Sequence, residues 1–349
     1  MNVNYYLGAN SDTGFYSLYG GFCRGEGDFL HLIKAGPGGG KSGFMRCIAS
    51  AAAEHGYDTE CVLCSGDPDS LDAVYIPELR LGFADATAPH ACEPENFAYN
   101  SDYVNLGRFC ERISDVRIGQ FTAAYRAMYK TAYSYLAAAG SVERADIPGL
   151  ISSDTLEKVR KRARSAALHE LGSAKKKAAA AHEKRCFVRC ISCKGELTLT
   201  DEVNKLCKRI YLLDDRCGLA DVYLAEMRSE AAARGADTIL CLSPLCPEKP
   251  DALLLPEHGL GFVSASAMEI CEPWRHVRLD ALVDPAVLRA ARPELRRRDK
   301  LRNGLTGEAV RCLSRAKEYH DELERVYNPH VDFAALDAFT NETIDRIFE

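Results

Sequence analysis

The most specific pattern in this chain of 349 residues reads Ala35-Gly36-Pro37-Gly38-Gly39-Gly40-Lys41-Ser42. It follows the apolar run Phe29 to Ile33 and precedes a helix-like run that ends at Ala53. This order of strand, loop and helix is the context that a phosphate-binding P-loop requires. The glycines let successive backbone N–H groups converge on phosphate oxygens, and the N-terminus of the following helix adds its positive dipole end. The segment therefore predicts a protein that binds a nucleoside triphosphate.

Each position of this loop has an expected role. Lys41 is expected to reach the outer phosphates, and Ser42 is expected to ligate Mg²⁺. Ala35 stands where the pattern has glycine, a departure that is tolerated if φ stays negative at that position. The residues expected to bind the cofactor ATP are Gly36, Pro37, Gly38, Gly39, Gly40, Lys41, Ser42 and Gly43.

Composition and charge exclude several classes of partner. The net charge of −6 provides no global basic field, so nucleic acid is not the expected partner. The segment Met1 to Tyr6 lacks a basic region followed by an apolar core, so it does not predict a secretory signal. No apolar run is long enough to span a bilayer. We therefore expect a cytoplasmic protein of two domains that makes no use of a membrane.

Fifteen cysteines are scattered through apolar stretches of the chain. The spacing of Cys186, Cys190 and Cys193 would suit a cluster of three thiolates around a metal. Buried reduced thiols behave as small hydrophobic groups, and this interpretation is favoured over a metal site. Whether these three cysteines bind a metal stays open at this point.

The segment Gly56 to Asp85 recurs later in the chain at a constant offset of 179 residues. Asp58 corresponds to Asp237, and Leu81-Gly82-Phe83 corresponds to Leu260-Gly261-Phe262. From Asp58 to Asp85 the two copies are identical at 11 of 28 positions, whereas chance pairing gives roughly two. The chain is therefore expected to contain a duplicated domain.

The second copy has lost the phosphate-binding pattern. Its loop region, Asp214 to Val222, lacks the glycine run, the lysine and the serine. Asp221 stands at the position of Lys41, or Ala220 does if a gap of one residue falls earlier. A carboxylate at that position would repel a triphosphate. We expect the second copy to have lost nucleotide binding while it keeps its core pattern.

Each copy is followed by helix-like sequence. In the first copy, apolar residues from Phe121 to Tyr135 recur at helical spacing, and Gly140 ends the run. In the second copy, helix-like sequence from Gly307 to Tyr327 stops at Asn328-Pro329. Between the copies, the segment Thr155 to Lys184 is rich in Ala, Lys and Arg and predicts a helical linker.

A P-loop metal site also needs an acidic residue at the end of another strand. Leu81 to Asp85 is a short apolar run closed by a carboxylate, whereas the equivalent run Leu260 to Ser264 keeps the strand and loses the acid. Lys41 and Asp85 thus have no counterparts in the copy whose loop is broken, as expected if they serve one ligand. Asp85 is predicted to be a catalytic residue and a metal ligand.

His90 is a further catalytic candidate. Many ATPases place a glutamate directly after this aspartate to activate water, but here Ala86-Thr87 follows Asp85. His90 lies shortly beyond, and its ordinary pKa near neutrality suits a base or a phosphate contact. A structural role in a loop is the alternative for His90.

Asp67 follows the apolar strand predicted from Glu60 to Ser65. Strand ends of this kind line the ligand crevice in open α/β sheets, so Asp67 is a candidate general base or metal contact. The second copy replaces Asp67 by Cys246 but keeps Asp72 as Asp251. Asp72 is therefore expected to cap a helix or a turn.

On these motifs the chain resembles a little-characterised bacterial family of tandem P-loop ATP-binding proteins, described as hypothetical ATPases. The resemblance rests on Gly36 to Ser42, on Gly66 to Asp72, on Asp85 to His90 and on a repeat that covers nearly the whole chain. It implies a tandem P-loop fold and ATP, and it implies no particular substrate. Members of the family tend to have a recognisable P-loop in each half, and this chain departs from that pattern at Asp214 to Val222.

We therefore expect two α/β domains of the P-loop NTPase type, residues 1–184 and 185–349, each with a parallel sheet flanked by helices and a helical extension. The first domain is expected to bind Mg-ATP and hydrolyse it. Its predicted catalytic residues are Lys41, Asp85, Asp67 and His90, and its predicted metal ligands are Ser42 and Asp85. Three roles stay open for the second domain: regulation, assembly into a homo-oligomer, and binding of an unknown protein or small molecule.

Two other functions stay open. The first is a small-molecule kinase whose helical extension covers an acceptor substrate. The arginines suggesting such a lid are Arg108, Arg112, Arg117 and Arg126. The second is an interaction module that binds ATP with little turnover, which the missing glutamate after Asp85 favours.

Overall fold

The computed structural model describes residues 2–87, 93, 96–173 and 181–349 of this α/β protein. The chain divides into two compact units. Unit 1 consists of Met1–Tyr135, Ile191–Leu197 and Gly307–Glu349, and unit 2 consists of Leu136–Cys190 and Thr198–Thr306. Each unit therefore combines segments from both copies of the duplicated sequence.

The first half of the chain forms eight strands and three helices within the described residues. The strands are β1 (Val3–Tyr5), β2 (Gly8–Ser11), β3 (Gly14–Ser17), β4 (Phe29–Lys34), β5 (Glu60–Leu63), β6 (Leu71–Ile76), β7 (Leu81–Asp85) and β8 (Ser101–Asn105). The helices are α1 (Lys41–Glu54), α2 (Arg117–Glu143) and α3 (Ser153–Leu171).

The second half repeats this plan from β9 onward. Its strands are β9 (Glu183–Cys186), β10 (Arg189–Ser192), β11 (Gly195–Thr198), β12 (Arg209–Leu213), β13 (Thr238–Leu242), β14 (Pro250–Leu255), β15 (Leu260–Ser264) and β16 (Arg275–Val277). Its helices are α4 (Thr200–Leu206), α5 (Ala220–Ala232), α6 (Pro285–Tyr327) and α7 (Phe333–Phe348).

Each unit has a mixed sheet of six strands. The order in unit 1 is β1-β5-β6-β7-β4-β8, where β4 runs parallel to β7 and β8, and β6 is antiparallel to β5 and β7. The predicted all-parallel sheet is therefore wrong. The links on either side of β6, residues 64–70 and 77–80, are too short for the crossover that parallel neighbours require.

The sheet of unit 2 has the same plan. Its order is β16-β12-β15-β14-β13-β9, with β12 parallel to β15 and β16, and β14 antiparallel to both of its neighbours. The structure thus agrees with the duplication that the sequence indicates.

The two copies exchange their helical extensions. Helix α7 of the second copy packs on α1 in unit 1, and α3 of the first copy packs on α5 in unit 2. Leu336 of α7 belongs to one buried cluster with Ile33, Phe44 and Phe83 of the first copy. Burying a leucine side chain of this kind contributes roughly 1.5–3 kcal/mol. The core of unit 1 is therefore completed by the second copy.

The predicted helical segments differ from the observed ones mainly at their ends. Helix α2 continues past Gly140, and α6 begins well before Gly307 but ends at Tyr327 as predicted. Helix α3 ends at Leu171, and Lys184 already lies in strand β9, so the predicted linker helix is too long; its lysine run, 175–177, lies outside the described residues. None of the helices that the structure describes is both long and apolar enough to cross a membrane.

Candidate functional site

The glycine loop lies in unit 1 between strand β4, the neighbour of edge strand β8, and helix α1. Gly38 has φ 65° and Gly40 has φ 77°, a left-handed conformation that glycine adopts without steric cost. A Cβ at Gly39 would lie 2.9 Å from the Cβ of Ala35, so this position also needs glycine. Among the described non-glycine residues, only Cys23, Arg80 and Ala98 have positive φ, so Ala35 is accommodated as the sequence suggested.

Lys41 folds back over this loop. Its Nζ donates to the backbone oxygens of Ala35 at 3.2 Å and Gly36 at 3.3 Å, and it lies 3.6 Å from Oδ2 of Asp85. The side chains of Lys41 and Asp85 are only 15% and 12% exposed. Asp85 reaches this place because β7 pairs with β4 so that Asp85 lies opposite Ile33. Lys41 and Asp85, which both lack a counterpart in the second copy, are therefore close together in the structure.

The other carboxylate oxygen of Asp85 belongs to a local turn. Its Oδ1 accepts hydrogen bonds from the backbone N of Thr87 at 2.8 Å and from Oγ1 of Thr87 at 2.6 Å. Ala86 offers only backbone groups: its N donates to Ile33 and its O accepts from Lys34 Nζ at 2.7 Å. Oδ2 is thus left to face Lys41.

Ser42 lies at the second position of α1 and contacts strand β6. Its Oγ accepts a hydrogen bond from the backbone N of Leu71 at 2.9 Å. A serine hydroxyl has one donor and two acceptor sites, so this bond leaves one lone pair for a further ligand. The contact also fixes the start of α1 relative to the sheet.

Asp67 lies in the turn between β5 and β6. Its carboxylate accepts hydrogen bonds from the backbone N of Asp69 at 3.3 Å and from Oγ of Ser70 at 3.4 Å, and it lies 3.4 Å from Nζ of Lys317 on α6. Within the described residues, no contact joins Asp67 to Lys41. The structure thus gives Asp67 a turn-stabilising contact and an ion pair, and its catalytic role stays a prediction.

Asp72 is not a helix or turn cap. It lies within strand β6, where it is 4% exposed and accepts a hydrogen bond from the Tyr19 hydroxyl at 3.0 Å. Burial and the nearby Asp72 carboxylate raise the pKa of Tyr19 well above its ordinary value, so Tyr19 remains a donor. The prediction failed because the strand begins one residue earlier, at Leu71.

His90 lies outside the described residues, and its predicted role is not addressed by the structure. Cys186 and Cys190 belong to unit 2, whereas Cys193 belongs to unit 1. Within the described part of the chain, none of these three cysteines belongs to a group with metal-binding spacing. Burial favours the interpretation of Cys186 and Cys190 as small hydrophobic groups.

The end of α6 and the start of α7 lie directly on the glycine loop, which sequence reasoning missed. A Cβ at Gly36 would lie 3.1 Å from Tyr327 Cε1, and a Cβ at Gly40 would lie 2.4 Å from Leu336 Cδ2. A Cβ at Gly38 would lie 2.3 Å from Oδ1 of Asn328 and 3.4 Å from Cβ of Glu324. The run of glycines was the feature of the sequence that could have indicated this contact, because glycine often stands where another segment packs closely against the backbone.

Strand pairing aligns the two loops residue by residue. The corresponding pairs are Ile33 and Leu213 in β4 and β12, Asp85 and Ser264 in β7 and β15, and Lys41 and Ala220 at the first residue of the helix. The missing residue therefore falls inside the second loop. Of the two alignments that the sequence allowed, Ala220 stands at the position of Lys41, and Asp221 stands at the position of Ser42.

The second loop contains its own anion. Asp215 accepts hydrogen bonds from the backbone N of Ala220 at 2.9 Å, Oγ of Ser264 at 2.9 Å and Oγ of Ser266 at 3.2 Å. Burial raises the pKa of Asp215 to about 6. A carboxylate at the N-terminus of α5 satisfies the same N–H group and dipole that would otherwise attract a phosphate.

Asp221 adds a second acidic group at the start of α5. Burial raises its pKa to about 7, while Nζ of Lys249, 3.8 Å from Oδ2, acts in the opposite direction. The neighbouring carboxylates of Asp215, Asp251 and Glu143 raise the pKa further. This concentration of negative groups opposes the binding of a phosphate.

No family model, no curated protein and no solved structure matches this chain. The candidate site is therefore interpreted from its own geometry.

Proposed function

We propose that this protein binds a nucleoside triphosphate, ATP, at the loop from Ala35 to Ser42 and hydrolyses it with Mg²⁺. The observation that carries the proposal is the 3.6 Å approach of Lys41 Nζ to Asp85 Oδ2 beside a glycine loop that opens a helix. A lone lysine over a glycine loop has many explanations, but a partly buried lysine at the start of a helix, beside a carboxylate at the end of a neighbouring strand, fits a triphosphate with its counter-ion.

The nucleotide would displace the internal bonds of Lys41. The bonds from its Nζ to Ala35 and Gly36 are 3.2 and 3.3 Å long, so they are long for hydrogen bonds and are readily exchanged for a charged oxygen. The backbone N–H groups at the start of α1 would hold the inner phosphates. Lys41 would then neutralise the outer phosphates.

Ser42 and Asp85 would hold the magnesium ion. Both offer oxygen atoms, which this hard cation prefers, and each has capacity left: a lone pair on Ser42 Oγ, and Asp85 Oδ2, which has only a 3.6 Å contact with Lys41. When bound, the cation neutralises charge that develops on the phosphate oxygens. The residues present therefore fit the metal.

The test compares the wild-type protein with Lys41→Ala and with Arg46→Ala. Arg46 is an exposed cation on the same helix, so its removal changes the charge by the same amount while Lys41 stays in place. We expect Lys41→Ala to weaken Mg-ATP binding by at least about tenfold and to abolish phosphate release, since a hydrogen bond to a charged group is worth about 1.5–3 kcal/mol. Equal binding by both variants would contradict the proposal.

An interaction module that binds ATP with little turnover is the second candidate. It is favoured by Ala86-Thr87, which leaves no carboxylate directly after Asp85. Nucleotide binding without phosphate release in the experiment above would select this candidate.

No described contact favours a small-molecule kinase. Of the arginines that suggested a lid, Arg108 stacks on the rings of Phe109 and Phe339, and Arg117 forms an ion pair with Asp115. Both side chains thus have structural partners.

A further inference from the structure

Hydrolysis at this site needs a group that accepts a proton from water, and Ala86 and Thr87, the described residues directly after Asp85, do not supply one. Ala86 has no polar side chain, and the hydroxyl of Thr87 is bonded to Asp85 Oδ1. Asp85 itself is shared between Thr87 and Lys41. Among the described residues, a proton acceptor therefore has to come from another element next to the loop.

Glu324 on α6 is a carboxylate placed on the loop. Its Cβ would be 3.4 Å from a Cβ at Gly38, which is ordinary van der Waals contact, and Asn328 lies one helical turn further along the chain. The backbone around Gly38 is part of the segment whose N–H groups would hold the phosphates. A glutamate side chain that starts at this surface is within reach of the phosphate site.

The carboxylate of Glu324 is also available. Its nearest charged partner within the described residues is Nδ1 of His320, at 3.6 Å, and the side chain is 36% exposed. The acids beside it on the helix are engaged, because Asp321 pairs with Lys317 and Glu322 pairs with Arg325. Glu324 thus differs from the other acids at this end of α6. It lies on the loop, and among the described residues it has no lysine or arginine partner.

The position of this charge is unfavourable for simple binding. A carboxylate next to a triphosphate repels it, because both carry negative charge and the surrounding protein screens that repulsion less than water does. Asn328, its neighbour on the loop, shows that a neutral side chain fits at this surface. The presence of a carboxylate beside the loop is explained if this group acts on the attacking water and does not hold the nucleotide.

We propose that Glu324 is a catalytic residue that accepts the proton of the attacking water. This inference rests on the proposed hydrolysis of ATP. As the water oxygen forms its bond to the γ-phosphorus, one water proton passes to the Glu324 carboxylate. The bond between the γ-phosphorus and the bridging oxygen breaks, and its electron pair leaves with ADP. The proton is then released to solvent, directly or through His320 one turn away.

This role also explains why a second copy without its own phosphate loop is retained. Glu324 belongs to α6 of the second copy but lies in unit 1, beside the loop of the first copy. The second copy thus contributes a reacting group to the site of the first.

The test measures Mg-ATP affinity and single-turnover phosphate release separately for Glu324→Gln, with Glu322→Gln as the matched control. Glu322 is on the same helix and pairs with Arg325. We expect Glu324→Gln to release phosphate about 10²–10⁴ times more slowly, the usual contribution of a general base. Its affinity for Mg-ATP should be equal or higher, because a repulsive charge has been removed. Glu322→Gln should match the wild type in both measurements.

The outcomes separate this inference from the function on which it rests. Wild-type phosphate release by Glu324→Gln, or an equal loss in both variants, would overturn the role of Glu324 and leave ATP hydrolysis intact. Mg-ATP binding by the wild type without phosphate release would also overturn it, while ATP binding stands. A wild type that does not bind Mg-ATP would overturn the proposed function itself.

Discussion

The two loops of this chain differ at the residues that would hold an anion, although the sheets behind them have the same plan. In the first, α1 begins with Lys41 and the loop has glycines in left-handed conformation at Gly38 and Gly40. In the second, α5 begins with Ala220, and the carboxylate of Asp215 is bonded to its first N–H group. The sheets behind the two loops have the same strand order and direction. The difference shows that the residues proposed to hold the nucleotide can change while the fold stays the same.

The largest expected effect follows from Asp85, whose counterpart is Ser264. Asp85→Asn should lower ATP turnover about 10³-fold, since the charge that balances Mg²⁺ is worth several kcal/mol. Ser264→Ala should leave turnover within about twofold of the wild type, because it removes only one donor to Asp215. Steady-state phosphate release measures both. Similar losses in the two variants would mean that the second loop takes part in catalysis.

The next effect is on the stability that helix α7 of the second copy gives to unit 1. Leu336 is 4% exposed and packs against Gly40, so Leu336→Ala should lower the free energy of unfolding by about 2–4 kcal/mol and weaken Mg-ATP binding. The control is Leu168→Ala on α3, whose side chain is 55% exposed and should contribute less than about 0.5 kcal/mol. Urea unfolding and ATP titration of both variants check this. Unchanged ATP affinity in Leu336→Ala would show that the loop does not depend on α7.

A smaller effect on the free energy of unfolding distinguishes two roles of glycine: adopting a positive φ, and allowing another segment to pack closely. Gly40 and Gly218 have similar φ values, 77° and 71°, but a Cβ at Gly40 would lie 2.4 Å from Leu336, whereas nothing lies within 4 Å at Gly218. Gly218→Ala should cost about 1–2 kcal/mol from conformation alone. Gly40→Ala should cost about 1–3 kcal/mol more from overpacking. Equal urea midpoints for the two variants would contradict the close approach of α7.

The smallest expected effect is the pH dependence of the second loop. Burial raises the pKa of Asp221 from 3.8 to about 7, so the folded chain binds more protons than the unfolded chain between these values. The free energy of unfolding should therefore fall as the pH rises from about 4 to 7. Asp221→Asn should remove this part of the decline, an effect on the order of 1–2 kcal/mol after allowance for partial exposure. Urea unfolding at several pH values would show parallel curves for the two proteins if Asp221 is not responsible.

The pairing of Lys41 with Asp85 is the part of the candidate site that the sequence predicted best. Asp85 stands at the end of a short apolar strand and Lys41 at the start of the helix that follows the glycine loop, and the absence of both from the second copy linked them in the sequence. The mixed sheet was missed because Leu71–Ile76 has no pattern that distinguishes a parallel from an antiparallel strand. Only the short links on either side of it require the antiparallel direction.

The contacts of Glu324, Asn328 and Leu336 with the loop could not be predicted from the sequence. They depend on which sheet the helical extension covers, and the helical pattern of α6 is the same whether it packs on its own copy or on the other. The structure shows that the extensions are exchanged, so the first loop is covered by residues from the far end of the chain.

The central claim is that this chain has one working nucleotide site, in the first copy. Calorimetric titration of the wild-type protein with Mg-ATP tests it most directly. We predict one ATP bound per chain, binding at least about tenfold weaker in Lys41→Ala, and one ATP still bound by Asp221→Asn. Two nucleotides per chain, or unchanged affinity in Lys41→Ala, would contradict the account.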